Sequence, residues 1–220
     1  MKYNLILFDL DGTLVNTLEA IAKSGNSAFE ELGLKTYPVD YFNNLIGHGV
    51  NGIVDKIFNI ENYDKSGIDK EKVKETVRKY YKRYFDYNVC LYTEIDRLMD
   101  FLEENNIKKG IVTNKDQELA LKTTESRLSR WSFTDIIGAD DSKYPRKPDP
   151  YGINKISEKL GMSKEKILYA GDMEVDVETA HNAGIDIVYC NWGFGNRKGE
   201  KNIPEIIKVS DVNKFIEKIK

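Results

Sequence analysis

Two short acidic stretches and one lysine are the residues whose types and spacing suggest joint chemistry. Asp9 and Asp11, in Asp9-Leu10-Asp11-Gly12-Thr13-Leu14, set two carboxylates two positions apart, just before a glycine that permits a tight turn. A second acidic pair, Asp172 and Asp176, lies in Gly171-Asp172-Met173-Glu174-Val175-Asp176. Each pair has a plain structural explanation, because Asp and Gly are ordinary turn residues and acids are common at helix caps and first turns. Gathered in one pocket, however, the carboxylates would repel and raise one another's pKa, so cations must compensate. Hard oxygen ligands without a His or Cys cluster favour Mg2+, which takes one or two carboxylates, waters and substrate phosphate. Lys147, in the loop Tyr144-Pro145-Arg146-Lys147-Pro148-Asp149-Pro150, is the other candidate cation. A lysine seen alone in such a loop would by default be solvated.

The elements that must position these residues are visible as short apolar runs rich in β-branched residues, at 4–8, 110–113, 134–138, 166–170 and 185–190. From residue 91 onward they alternate with helical patterns, such as Ile95, Leu98, Met99, Leu102 and then Ile153, Ile156, Leu160. Such alternation predicts a parallel sheet with helices on both faces. Asp9 and Asp11, Thr113, and Asp172 then all stand at strand ends, where ligands bind in open parallel sheets. Punctuation agrees: Thr93 with Asp96 opens one helix, Gly161 and Gly184 end two others, a helix begins near Glu174 and Ser210 caps the last.

From 16 to 87 the pattern is helical throughout. Asn16 with Glu19 resembles a capping box ahead of the stripe Leu18, Ile21, Ala22, Gly25, Ala28, Phe29, Leu32, which Gly33 can terminate. A second stripe runs Val50, Ile53, Val54, Ile57, Phe58, and a third helix is expected from Asp69 to Tyr87. The expected division is an α/β core of 1–15 and 88–220 with an inserted all-α cap of 16–87.

In order along the chain, D-x-D-G-T-L at Asp9 to Leu14, the strand-terminal Thr113, Lys147-Pro148 and G-D-x-x-x-D at Gly171 to Asp176 resemble the four motifs of the haloacid dehalogenase superfamily of aspartyl-phosphate phosphohydrolases. The helical insertion after the first motif, Gly47-His48-Gly49, Gly138-Ala139-Asp140-Asp141 and Trp192-Gly193-Phe194-Gly195 are similar to the phosphoglycolate phosphatase group within it. Asn16 departs from the group, whose members usually carry Asp there. The resemblance implies a Rossmann-like core with a helical cap, and a reaction in which Asp9 attacks phosphorus while Asp11 serves as general acid and then general base. It further implies that Asp9, Asp172 and the Asp11 backbone carbonyl hold Mg2+, with Asp176 on the metal or beside it. Thr113 and the Asn114 backbone N–H would bind the phosphoryl oxygens, and Lys147 would balance their charge. Gly47 and His48 are candidate substrate contacts, although His48 reads equally well as an incidental loop residue. His181 reads as structural or solvent-facing, and Lys115 as a surface charge.

Across 220 residues, 33 Lys+Arg against 36 Asp+Glu give a net charge of −3, which excludes a strongly basic nucleic-acid binder. The stretch from Lys79 to Phe85 interleaves bases with aromatics, but its i,i+4 spacing fits packing along a helix. A hydrophobic fraction of 40% suffices for a core. No apolar run near the start is long enough for a membrane span or a signal peptide. Cys90 and Cys190 form no metal or redox spacing and read as reduced, buried thiols. The expectation is a cytoplasmic phosphatase, monomer or homodimer, with exposed Trp131 a candidate for an interface, acting on a small phosphorylated metabolite with neither nucleic acid nor membrane as partner. Pyrophosphate hydrolysis, nucleotide dephosphorylation, phosphosugar mutase activity and an inactive phosphate-binding module stay open as alternatives.

Overall fold

The computed structural model describes residues 1–46, 49–65, 67–195 and 207–220. It divides into two compact units, one of 1–16 and 90–220 and the other of 17–89.

In the larger unit, β1 (Leu5–Phe8) runs into a tight turn and the two-residue strand β2 (Val15–Asn16). The helical unit follows with α1 (Leu18–Glu31), α2 (Gly49–Glu61) and α3 (Lys70–Tyr84). The chain returns through β3 (Cys90–Leu91), which pairs antiparallel with β2, Val15 opposite Leu91 and Asn16 opposite Cys90. Then come α4 (Ile95–Glu104), β4 (Lys108–Asp116), α5 (Gln117–Leu128), β5 (Ile136–Ala139), α6 (Tyr151–Leu160), β6 (Ile167–Gly171), α7 (Glu174–Ala183), β7 (Asp186–Cys190), β8 (Ile207–Val209) and α8 (Val212–Ile219).

Among the described residues the main sheet has six strands, ordered β5-β4-β1-β6-β7-β8, all paired in parallel. Its central strands are buried on both faces, which is why β1 and β6 read as unbroken apolar runs. Leu5 and Leu7 pack with Ile153 and Ile156 of α6 and Val177 and Ala180 of α7, while Phe8 turns to the other face and stacks on Phe215 of α8. Gly161 and Gly184 end α6 and α7 in the left-handed conformation that glycine adopts without strain. No helix among the described residues is long and apolar enough to cross a membrane.

Several local expectations are corrected. Asn16 does not cap α1: it pairs in β2, Thr17 precedes the helix without a side-chain cap, and Glu19 accepts a hydrogen bond from Asn88 instead. Glu94, not Thr93, precedes α4. The cap of α8 is Asp211, whose carboxylate accepts the Lys214 N–H, with Ser210 donating to Asp211. The third helix of the 17–89 unit, expected to reach Tyr87, stops at Tyr84. Cys90 is exposed because β3 is a short edge pair, whereas Cys190 is buried. Trp131 is buried, its indole N–H donating to Asp100 at 2.7 Å. Tyr80 and Tyr84 stack at 6.0 Å, as their spacing on α3 requires.

Candidate active site

The sheet order alone brings the acids together. β4, β1 and β6 are neighbours, and their register aligns Phe8 with Ile111 and with Ala170. Asp9 continues β1 by one residue, its N–H donating to the Ala170 carbonyl at 2.8 Å. Strands lie about 4.8 Å apart, so residues just past these aligned ends must crowd. Asp9, Asp172 and Asp176 are all buried and offer carboxylate oxygens within 4.8 Å of one another.

The hydrogen bonds separate the roles these three can play. A carboxylate accepts about four hydrogen bonds. Asp176 is the most heavily engaged of the three: Oδ1 takes Lys147 Nζ at 2.6 Å with the Tyr169 hydroxyl 3.2 Å away, and Oδ2 takes the backbone N–H of Asp172 at 3.1 Å and of Met173 at 2.9 Å. Asp172 holds one donor on each oxygen, the Thr13 hydroxyl at 2.8 Å and the Phe194 N–H at 2.8 Å, leaving each oxygen capacity to spare. Asp9 Oδ1 is buried without an aligned hydrogen bond among the described residues and lies 3.0 Å from the charge of Lys147. Asp176 thus anchors Lys147 and the 172–173 backbone, and it stands within the same group of carboxylates that could hold an ion.

Lys147 is buried rather than solvated. Burial alone would push its pKa down, but the charges of Asp176 and Asp9 outweigh that and raise it, so the ammonium is retained. Tyr169, beneath it in β6, donates to the Val112 carbonyl at 2.7 Å and receives Lys147 Nζ at 3.0 Å. Burial and then the charges of Asp176 and Asp9 raise the pKa of Asp172; burial and then Asp9 raise that of Asp176 against the pull of Lys147.

Thr113 is buried within β4, which does not end there as sequence predicts but continues to Asp116, with a shift in its register against β5 after Val112. The Asn114 side chain, to which sequence assigns no role, brackets Lys147 by accepting its N–H at 2.8 Å and donating to its carbonyl at 3.1 Å. Arg146 secures the same loop, donating to the Asn114 carbonyl at 2.9 Å and pairing with Asp116 and Asp141.

Lys115 corrects the sequence reading most sharply. It is buried, and its ammonium binds both oxygens of Asp11 at 3.0 Å. Tyr92 is also drawn in: burial, then the charges of Asp172 and Asp11, keep its phenol neutral. His181 is exposed on the last turn of α7. Gly47 and His48 lie outside the described residues.

Glycines close the acids in. A Cβ at Gly12 or Gly193 would overlap Asp172, and one at Gly171 would overlap Asp176, so bare backbone forms part of the wall. Taken fully ionised, Asp9, Asp11, Asp172 and Asp176 carry four negative charges against two positive ones on Lys115 and Lys147. A single divalent cation balances the difference. The all-oxygen donors, the spare capacity of Asp172 and the unaligned Asp9 Oδ1 fit a hard ion of that charge.

The family model of haloacid dehalogenase-like hydrolases matches residues 6–190. Phosphoglycolate phosphatase of Aquifex aeolicus is 31% identical over 194 residues, covering 86% of this chain and 85% of that protein. Phosphoglycolate phosphatase of Pasteurella multocida is 28% identical, covering 88% of each. A crystal structure of a Lactobacillus delbrueckii subsp. bulgaricus protein superposes with a TM-score of 0.88 at 26% identity, over 100% of this chain and 99% of that one.

Proposed function

Because the chain belongs to the haloacid dehalogenase-like hydrolase family, we propose that it is a Mg2+-dependent phosphatase that hydrolyses a small phosphomonoester, phosphoglycolate-like, through an aspartyl-phosphate on Asp9. The observation that carries this reading is the state of Asp9: a carboxylate at a strand end, buried, with one oxygen free of any aligned donor and an ammonium 3.0 Å away. A nucleophile needs an uncommitted lone pair, and Lys147 lets it approach an anionic phosphate.

Asp9 forms the new P–O bond as the bond from phosphorus to the alkoxide oxygen breaks. Asp11, protonated, gives its proton to that oxygen, so an alcohol departs. The resulting Asp11 carboxylate then takes a proton from water as the water oxygen attacks phosphorus, releasing phosphate and restoring Asp9. The Thr113 hydroxyl and Asn114 N–H donate to the phosphoryl oxygens, and Lys147, steadied by Asp176, Tyr169 and Asn114, balances charge spreading over them. Asp9, Asp172 and the Asp11 carbonyl would hold the ion, which supplies charge neutralisation between nucleophile and phosphate. We assign the choice of substrate to the helical unit, 17–89, inserted directly after the first motif.

The test is phosphate release from 2-phosphoglycolate, pyrophosphate, nucleotides and hexose phosphates, each with Mg2+ and with chelator. Mg2+-dependent release with 2-phosphoglycolate preferred is expected. Release from no phosphomonoester, or release indifferent to divalent ions, would overturn the proposal.

A further inference from the structure

Lys115 stands outside the four sequence motifs, yet its side chain has no exposed area and its ammonium pairs with Asp11. It binds Oδ1 and Oδ2 of Asp11 at 3.0 Å each, whereas the Asp11 side chain keeps 17% of its surface exposed. Burying a lysine is unfavourable unless it is paired, so a fully enclosed ammonium on a carboxylate that is itself largely buried is a committed arrangement. The two residues are 104 positions apart and meet because β4 and β1 are adjacent strands. Asp11 itself sits on a turn just before Gly12, whose φ of 93° no other residue adopts without strain. Among the described residues, it is Lys115 that donates hydrogen bonds to the Asp11 carboxylate.

We infer that Lys115 is a positioning residue for Asp11, holding the proton-transferring carboxylate where both half-reactions need it. The inference rests on the proposed reading of Asp11 as general acid and base. An ammonium has three donors and no fixed fork, so it can keep one Asp11 oxygen while the other turns toward the leaving group. It makes no contact with substrate in this role; it acts through Asp11 alone.

Such a role has a signature that general damage to the fold lacks. An alkyl phosphomonoester such as 2-phosphoglycolate releases an alkoxide that needs a proton, whereas p-nitrophenyl phosphate releases a phenolate that does not. Because kcat/KM reports the steps up to release of the first product, the ratio of kcat/KM for the alkyl ester to that for p-nitrophenyl phosphate isolates the acid. The ratio is also independent of how much of a variant is folded. In the full-length protein with Mg2+, Lys115→Met is expected to lower this ratio by roughly 10- to 100-fold, the scale of a misplaced catalytic group. Lys115→Arg, which can grip both oxygens, should recover part of it. In the double variant with Asp11→Asn the ratio should equal that of Asp11→Asn alone. If Asp11→Asn lowers the ratio and Lys115→Met does not, or if the two effects multiply, the inference fails while the reading of Asp11 stands. If Asp11→Asn leaves the ratio unchanged, the reading of Asp11 itself fails and takes the inference with it.

Discussion

Asp172→Asn is expected to make the metal-free protein more stable while removing its response to Mg2+. The amide fits where the carboxylate was. Its oxygen can keep the Phe194 N–H, and its NH2 can donate to Thr13, whose hydroxyl serves as acceptor as readily as donor. What changes is charge. Oxygens of like-charged carboxylates within 4.8 Å repel by about 3.5 kcal/mol at an effective dielectric of about 20. The wild type can escape by protonating Asp172, at a cost near neutral pH of about 4 kcal/mol, roughly three pH units of 1.4 kcal/mol each, which sets a ceiling. Lys147 offsets part of the repulsion, leaving about 2–3 kcal/mol, or a rise in melting temperature of roughly 4–12 °C for a chain of this size. The assay is thermal unfolding in chelator and in excess Mg2+ near neutral pH. Wild type should gain stability with Mg2+ by mass action and the variant should not, and the variant should lose phosphatase activity. A variant less stable than wild type in chelator, or one equally stabilised by Mg2+, would refute the reasoning.

Asp9→Asn should abolish turnover and leave the circular dichroism spectrum unchanged; an unaltered rate would remove the nucleophile assignment. The raised pKa values of Asp172 and Asp176 in the absence of metal mean that the fold retains protons the unfolded chain gives up. Their contribution is favourable below the unfolded carboxylate range, about pH 4, and is lost as pH rises through the folded values, so in chelator the stability gap between wild type and Asp172→Asn should widen from pH 4 upward. A gap that stays constant with pH would contradict this. Gly12→Ala adds a methyl at a positive φ, where it overlaps the Asp172 carboxylate, and should cost activity together with at least about 1–3 kcal/mol of stability, measured by denaturant unfolding. Tyr169→Phe removes a hydroxyl shared by the Val112 carbonyl, Lys147 and Asp176; a loss of about 1–3 kcal/mol and a lower kcat are expected, with KM changing less than kcat.

How much was legible in the sequence follows from what each residue depends on. Asp9 and Asp172 were readable because each directly follows an apolar run, and a parallel sheet sends all such ends to one edge. Lys115 was not readable as a site residue, because nothing local distinguishes it from a solvated lysine; its meaning lies in the adjacency of β1 and β4. Asn16 was misread for the same reason, since its partner Cys90 is remote in the chain and two-residue strands carry no periodicity. Ser210 and Asp211 are both good capping residues, and only geometry chooses between them. Asp176 could be placed beside Asp172 by spacing, but its grip on the Lys147 ammonium, 29 positions away, is a tertiary fact.

The pairing of Val15–Asn16 with Cys90–Leu91 has an evolutionary side. Residues 17–89 leave and rejoin the α/β unit at adjoining points, so the excursion begins and ends at a doorway already bolted by its own hydrogen bonds. The entropy of closing a loop grows only slowly with its length once the ends are held together. An insertion at that doorway can lengthen, shrink or be exchanged for an unrelated module at little expense to the sheet. Asp9, Asp11, Asp172, Asp176, Lys115 and Lys147 all belong to the framework that stays behind, so such an exchange would leave their arrangement in place.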